Sequence, residues 1–187
     1  MRKLHLVKHS LPVIDSHEPS SKWRLGPAGS RLAVLVAERL APADVDAVFS
    51  STEPKAEETG RIIADRLGAP FATAEGLQEQ ARDAVGWLDS ADAFETAVSM
   101  LFAEPDKPVF GAETANQALG RFAAALEQVM SAETGDIVVV SHGTVITLFV
   151  ARANHMAPVP LWKQLGLPSL VTVEWPSGNL LEVVGQF

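Results

Sequence analysis

The sequence contains no cysteine, which excludes disulfides, thiolate metal sites and a thiol nucleophile together. Any covalent catalysis must use another atom. No apolar stretch approaches membrane-spanning length, and the opening Met1-Arg2-Lys3-Leu4-His5-Leu6-Val7-Lys8 turns polar too soon for a signal-peptide core. The expectation is a cytoplasmic protein with no membrane partner. Positive charge is scarce: the net charge is −8, spread along the chain, and no basic stripe with interleaved aromatics occurs. Nucleic acid is not an expected partner. A small anion is still admissible, because converging cations and backbone N–H groups outweigh net charge at ordinary ionic strength. Internal repeats and low-complexity tracts are also missing. The 187 residues, 47% hydrophobic, suffice for one buried core, so residues 1–187 read as a single domain.

What is present is an alternation of strand and helix signals. Leu4 to Val7 and the β-branched run Asp136-Ile137-Val138-Val139-Val140 read as strands, the second buried on both faces. Val45 to Phe49 and Pro70 to Thr73 read as shorter strands, and Leu170 to Trp175, Pro176-Ser177-Gly178-Asn179 and Leu180 to Val184 as a terminal hairpin. Pro27 opens a helix with Leu32, Leu35, Val36 and Leu40 on one face, and Pro54 opens another with Thr59, Ile63 and Leu67. Ser90 is placed to cap a helix carrying Phe94, Ala97, Val98 and Leu101. Thr114 with Gln117 forms a capping box before Leu119, Phe122, Leu126 and Val129. The sum is α/β with a mixed sheet. Loops rich in Pro, Ser and Gly at 10 to 29 and 103 to 113 are where a pocket mouth would sit.

The two anchoring strands end alike, in Val7-Lys8-His9-Ser10 and Val140-Ser141-His142-Gly143. Ligands of open α/β sheets bind outside the carboxyl ends of strands, so neighbouring strands would send both imidazoles into one crevice. Gly143 opens a helical run, Val145, Leu148 and Phe149, whose N-terminus favours an anion. Either histidine alone reads as structural, but the pair does not. As metal ligands the two lack HxH or HExxH spacing and an adjacent carboxylate, so no metal is expected. His5, His17 and His155 read as structural or surface residues. Lys55 falls in the first turn of its helix, where a cation opposes the helix dipole, and so hints at a nearby anion. Ser50 and Ser51 end a strand, and Thr52 is placed to cap the helix after it.

These residues together resemble the histidine phosphatase superfamily, also called phosphoglycerate mutase-like, whose first strand ends in Arg-His-Gly, here Lys8-His9-Ser10. Gly26-Pro27-Ala28-Gly29-Ser30-Arg31 is similar to its Leu-Thr-x-x-Gly helix start. Ser50-Ser51-Thr52-Glu53-Pro54-Lys55-Ala56-Glu57-Glu58-Thr59 is similar to Ser-Ser-Pro-Leu-x-Arg-Ala-x-x-Thr. Leu77-Gln78-Glu79, Gly111-Ala112-Glu113-Thr114 and Val139-Val140-Ser141-His142-Gly143 follow in the family's order. The resemblance implies a three-layer α/β/α fold with a mixed, mostly parallel sheet. It implies a metal-independent phosphomonoester hydrolase, without cofactor, acting through a phosphohistidine on a small phosphorylated molecule. His9 would be nucleophile, His142 its partner and Glu79 the general acid, with Asp83 the nearest substitute. Such an acid needs a raised pKa. Lys8, Lys55, Ser10 and Gly143 would hold the phosphoryl group, and Glu113 and Arg31 have ordinary structural readings beside that role.

The departures are chemical. Lys8 and Lys55 replace the family's two clamping arginines, keeping the charge but losing the planar fork that grips two oxygens, and Ser10 replaces a glycine. They motivate an alternative: a catalytically lapsed member that binds a phosphorylated ligand or partner. Leu11-Pro12-Val13-Ile14-Asp15 lacks the Trp-Asn and basic residues of mutases, so hydrolysis is expected over mutase chemistry. Trp23, Trp87, Trp162 and Trp175 read first as core, then as pocket rim or interface, and exposed apolar surface admits a homodimer.

Overall fold

The computed structural model describes residues 2–88 and 90–187. Six strands form one sheet in the order β3-β2-β4-β1-β5-β6: β1 Arg2–Lys8, β2 Val45–Ser50, β3 Phe71–Thr73, β4 Asp136–Ser141, β5 Ser169–Trp175 and β6 Leu180–Val184. β3, β2, β4 and β1 run parallel, β5 is antiparallel to β1, and β6 to β5. The sheet is mixed and mostly parallel, as expected. Among the described residues six α-helices accompany it: α1 Pro27–Leu40, α2 Pro54–Leu67, α3 Ala91–Ala103, α4 Ala115–Ala132, α5 Gly143–Ala153 and α6 Pro158–Gln164. None is long and apolar enough to cross a membrane.

Successive residues of β4 point to opposite faces. Ile137 and Val139 join Leu4, Leu6, Phe122, Leu126, Val145 and Ile146 in one core layer, against α4 and α5. Val138 and Val140 join Val7, Val36, Leu40 and Ile63 in the other, against α1 and α2. Two apolar faces per strand explain the unbroken β-branched run, since each such side chain contributes about 1.5–3 kcal/mol when fully buried. A third cluster, Val98, Leu101, Phe110 and Ala115 with Trp162 against it, seats α3 beside α6.

Helix starts follow local chemistry. Ser90 Oγ accepts the Ala93 N–H at 3.1 Å, and the Thr114–Gln117 capping box is complete. Two details differ from the expectation. α2 is capped by Glu53 backbone without a side-chain bond, while Thr52 Oγ1 instead accepts from Gln78 Nε2 at 2.9 Å. In α1 the buried stripe is Gly29, Ala33, Val36, Ala37 and Leu40, and Leu35 is exposed. Small residues bring that helix close to its neighbours, and counting large apolar side chains rotates the face.

Candidate active site

β1 and β4 lie side by side with Lys8 opposite Ser141, and the His9 N–H donates to the Ser141 carbonyl at 2.9 Å. Both chains therefore leave the sheet together, and the rings of His9 and His142 meet edge to face, centroids 5.2 Å apart. β2 ends on the same rim: the Ser51 N–H donates to the Val140 carbonyl at 2.9 Å, and Ser51 Oγ lies 2.9 Å from His142 Nε2. Three parallel strands thus end at one point, on the carboxyl side where such sheets bind ligands.

His9 Nδ1 is 2.8 Å from the Ser10 carbonyl. A carbonyl only accepts, so Nδ1 carries the hydrogen and Nε2 keeps a lone pair. Burial, followed by the proximity of His142 and Lys55, holds the His9 pKa well below the ordinary imidazole range. His142 is lowered likewise, by burial and then by Lys55. Its Nε2 lies 3.4 Å from Glu53 Oε1. Its Nδ1 is buried with no hydrogen-bond partner among the described residues.

The cations are placed around this pair. Lys8 Nζ donates to the Leu165 carbonyl at 2.7 Å, and burial brings its ammonium down to about 8. Its stem lies so close to the α5 N-terminus that a Cβ on Gly143 would come within 3.1 Å of Lys8 Cε. Lys55 Nζ is 2.5 Å from both the Ser20 carbonyl and Glu53 Oε2. The anion that its first-turn position hints at is therefore within the chain. Glu53 also accepts the Glu79 N–H at 2.9 Å, so one buried carboxylate ties Lys55, His142 and Glu79 together.

Glu79 accepts from Arg82 at 2.9 Å, from the Gln80 N–H at 2.9 Å and from the Thr144 N–H at 3.2 Å. Burial by itself would raise this carboxyl. The Arg82 guanidinium, with the two backbone N–H groups, overrides burial and holds it at about 2. The residue expected as a proton donor stands in this structure as a carboxylate. Asp83, its nearest substitute, accepts from the Ser21 hydroxyl at 2.6 Å.

A family model described as the histidine phosphatase superfamily (branch 1) matches residues 16–184. The chain belongs to the histidine phosphatase superfamily. This histidine phosphatase is similar in fold to Bacillus stearothermophilus YhfR, with a TM-score of 0.77 and 18% identity over 100% of this chain and 98% of that one. It is similar also to an Entamoeba histolytica phosphoserine phosphatase solved with 3-phosphoglyceric acid, TM-score 0.75 and 22% identity over 97% and 94%. A mycobacterial glucosyl-3-phosphoglycerate phosphatase solved with VO3 gives 0.73 and 18% over 96% and 95%. At such identities the likeness carries the fold. No curated protein sequence matches the chain. The family match begins after His9, so Lys8-His9-Ser10 stands on its placement at the end of β1.

In this histidine phosphatase Lys8, His9, Lys55, Glu79, His142 and Gly143 line one cavity of about 750 Å³. Ser10 does not. Its N–H donates to Thr59 Oγ1 at 3.0 Å and its hydroxyl to the Gly29 carbonyl at 2.7 Å, so both its donors are engaged behind the site. Arg31 is exposed on α1 and lies outside the cavity lining. Glu113 pairs with Arg121, which also donates to the carbonyls of Gly76, Gln78 and Glu79; this pair fixes the Glu79 loop.

Sequence reasoning passed over Arg82 and Glu53. Arg82 lines the cavity, donates to Thr144 Oγ1 at 3.2 Å and stacks over Phe94 and Phe110. A guanidinium three residues beyond Glu79 has no periodic signature, and neither has a carboxylate two residues before Lys55. The second wall of the mouth comes from residues 82, 83, 85 to 88, 90 and 91, while the 103 to 113 loop contributes Phe110 to the lining. Among the described residues no three His, Asp or Glu side chains are gathered as a metal site requires.

Proposed function

We propose that this histidine phosphatase hydrolyses phosphomonoesters through a phosphohistidine at His9. The observation that carries the reading is the His9 Nδ1 contact with the Ser10 carbonyl, which in a buried neutral ring leaves Nε2 as nucleophile. Nε2 attacks phosphorus in line, the P–O ester bond breaks, and the leaving oxygen takes a proton. Water then attacks the phosphohistidine, the P–N bond breaks, and inorganic phosphate departs. Lys8, Lys55, the Gly143 N–H and His142 Nδ1 supply positive charge to the equatorial oxygens. A dianion beside Nδ1 draws a proton onto His142, with Glu53 balancing the charge at Nε2.

Glu79 becomes a proton donor only if its hold on Arg82 loosens. An entering phosphoryl dianion competes for that guanidinium, and sharing it removes the strongest interaction keeping Glu79 ionised. Arg82 thereby restores at another position the planar fork missing at 8 and 55. No step needs a metal. The substrate is a phosphorylated small molecule, and the reading places the enzyme with such metabolites in the cytoplasm.

Lys55 already engaged by Glu53 and Ser20 favours the second reading, a phosphate-binding relic. Hydrolysis of 4-nitrophenyl phosphate by chelator-treated protein decides between them. The account expects turnover that His9→Asn lowers by about 10³-fold or more, as removal of a nucleophile does. Turnover equal in both proteins, or none in either, contradicts it.

A further inference from the structure

Four of the nine large apolar side chains exposed among the described residues, Leu11, Ile14, Val85 and Trp87, converge on the mouth of the one cavity that holds His9. Ile14 is 59% and Trp87 50% exposed. Apolar surface gathered in this way around a concave site marks ligand contact. The two mouth loops also touch: Trp23 and Trp87 pack with centroids 6.3 Å apart, and Trp23 Nε1 is anchored to the Asp15 carbonyl at 2.9 Å. Deeper in, Phe94, Phe110 and Trp162 line the wall, with Phe94 in contact with both of the others.

Charge is divided along the same cavity. Its lysines and arginine are Lys8, Lys55 and Arg82. All three are tied to the surroundings of the two histidines, Lys8 as the last residue of β1, Lys55 through Glu53 and Arg82 through Glu79. The outer lining carries Glu18 and Asp83 instead. A substrate bearing a carboxylate beside its phosphoryl group would meet, among the described residues, no second unengaged Lys or Arg there, and would face Glu18 and Asp83. The cavity of about 750 Å³ is also far larger than a phosphoryl group fills.

Resting on the hydrolase reading of the same site, we infer that the substrate is the monophosphate ester of a bulky aromatic alcohol or phenol, its rings held between a wall of Leu11, Ile14 and Trp23 and one of Val85, Trp87 and Phe94. Flat rings offset-stack or meet edge to face with Trp and Phe at centroid distances that an alkyl chain does not exploit.

Binding tests this without turnover. His9→Ala protein is titrated calorimetrically with 1-naphthyl phosphate, decyl phosphate and glycerol 1-phosphate. The expected result is naphthyl phosphate bound tenfold or more tighter than glycerol phosphate, and tighter than decyl phosphate. In the exposed-site variants Ile14→Ser and Trp87→Ser, made on the same background, the advantage over glycerol phosphate should shrink at least threefold. Equal affinity for naphthyl and glycerol phosphates, tighter binding of decyl phosphate, or an advantage untouched by both variants overturns the inference. Failure of the wild type to hydrolyse any of the three bears on the phosphohistidine reading alone.

Discussion

Lysine at position 8 offers one point charge where a guanidinium would offer a fork, and burial has already brought that charge near its limit. With its ammonium at about 8, the free enzyme loses a phosphoryl-binding cation as pH rises through that value. kcat/KM should therefore fall above pH 8. Lys8→Arg, whose guanidinium stays charged beyond any accessible pH, should move the falling limb past pH 10; an unmoved limb would show that Lys8 does not bind the phosphoryl group. Arg82 belongs to the same scale. Charge-assisted hydrogen bonds contribute about 1.5–3 kcal/mol each, so Arg82→Met should lower kcat/KM by about ten- to a hundredfold. It should also raise the pKa of Glu79 from about 2, because burial, no longer opposed by the guanidinium, favours the protonated carboxyl. An Arg82→Met protein whose Glu79 carboxyl still titrates at about 2 by NMR would refute this coupling.

The site depends on how elements meet. α1 begins hard against the loop that follows His9, and a Cβ on Gly29 would come 2.1 Å from the Leu11 carbonyl oxygen. Gly29→Ala must displace either the helix start or the loop, and a steric insertion of that kind costs about 1–3 kcal/mol. Thermal melting should register the loss, and KM should rise with it because Leu11 lines the cavity; an unchanged melt would mean that the contact relaxes freely. Much at this scale was legible in the sequence. Two apolar runs ending in His-Ser and His-Gly needed only to be neighbours, and the register of β1 on β4 makes them so. The Thr114–Gln117 box is local chemistry and stands as read. α6, Pro158–Gln164, was passed over because two prolines in seven residues leave no periodicity. Beyond their near partners Glu79 and Lys55, Arg82 and Glu53 reach Thr144 and His142, 62 and 89 residues away, and no spacing rule reaches that far.

For the molecule as a whole, neutral histidines in the interior set a stability window. Burial leads the lowering of His5, His9 and His142 below 6.5. Below that pH the unfolded chain takes up protons that the folded chain refuses, so stability is full above about 6.5 and declines as the solution is acidified. Glu79 adds a second loss between 4.5 and about 2. Melting temperature against pH should be flat near neutrality and fall from 6.5 downward; a rise on acidification would contradict the buried, neutral state assigned to these rings. That state also governs the chemistry, since protonated His9 has no lone pair to offer. The decisive measurement is a rapid quench of chelator-treated enzyme turning over an aryl phosphate labelled in its phosphoryl group, wild type beside His9→Asn. The account predicts label on the wild-type protein, labile to acid and stable to alkali, at a level absent from the variant. Burst-phase product release with no labelled protein, or equal labelling of His9→Asn, would contradict a phosphohistidine at His9.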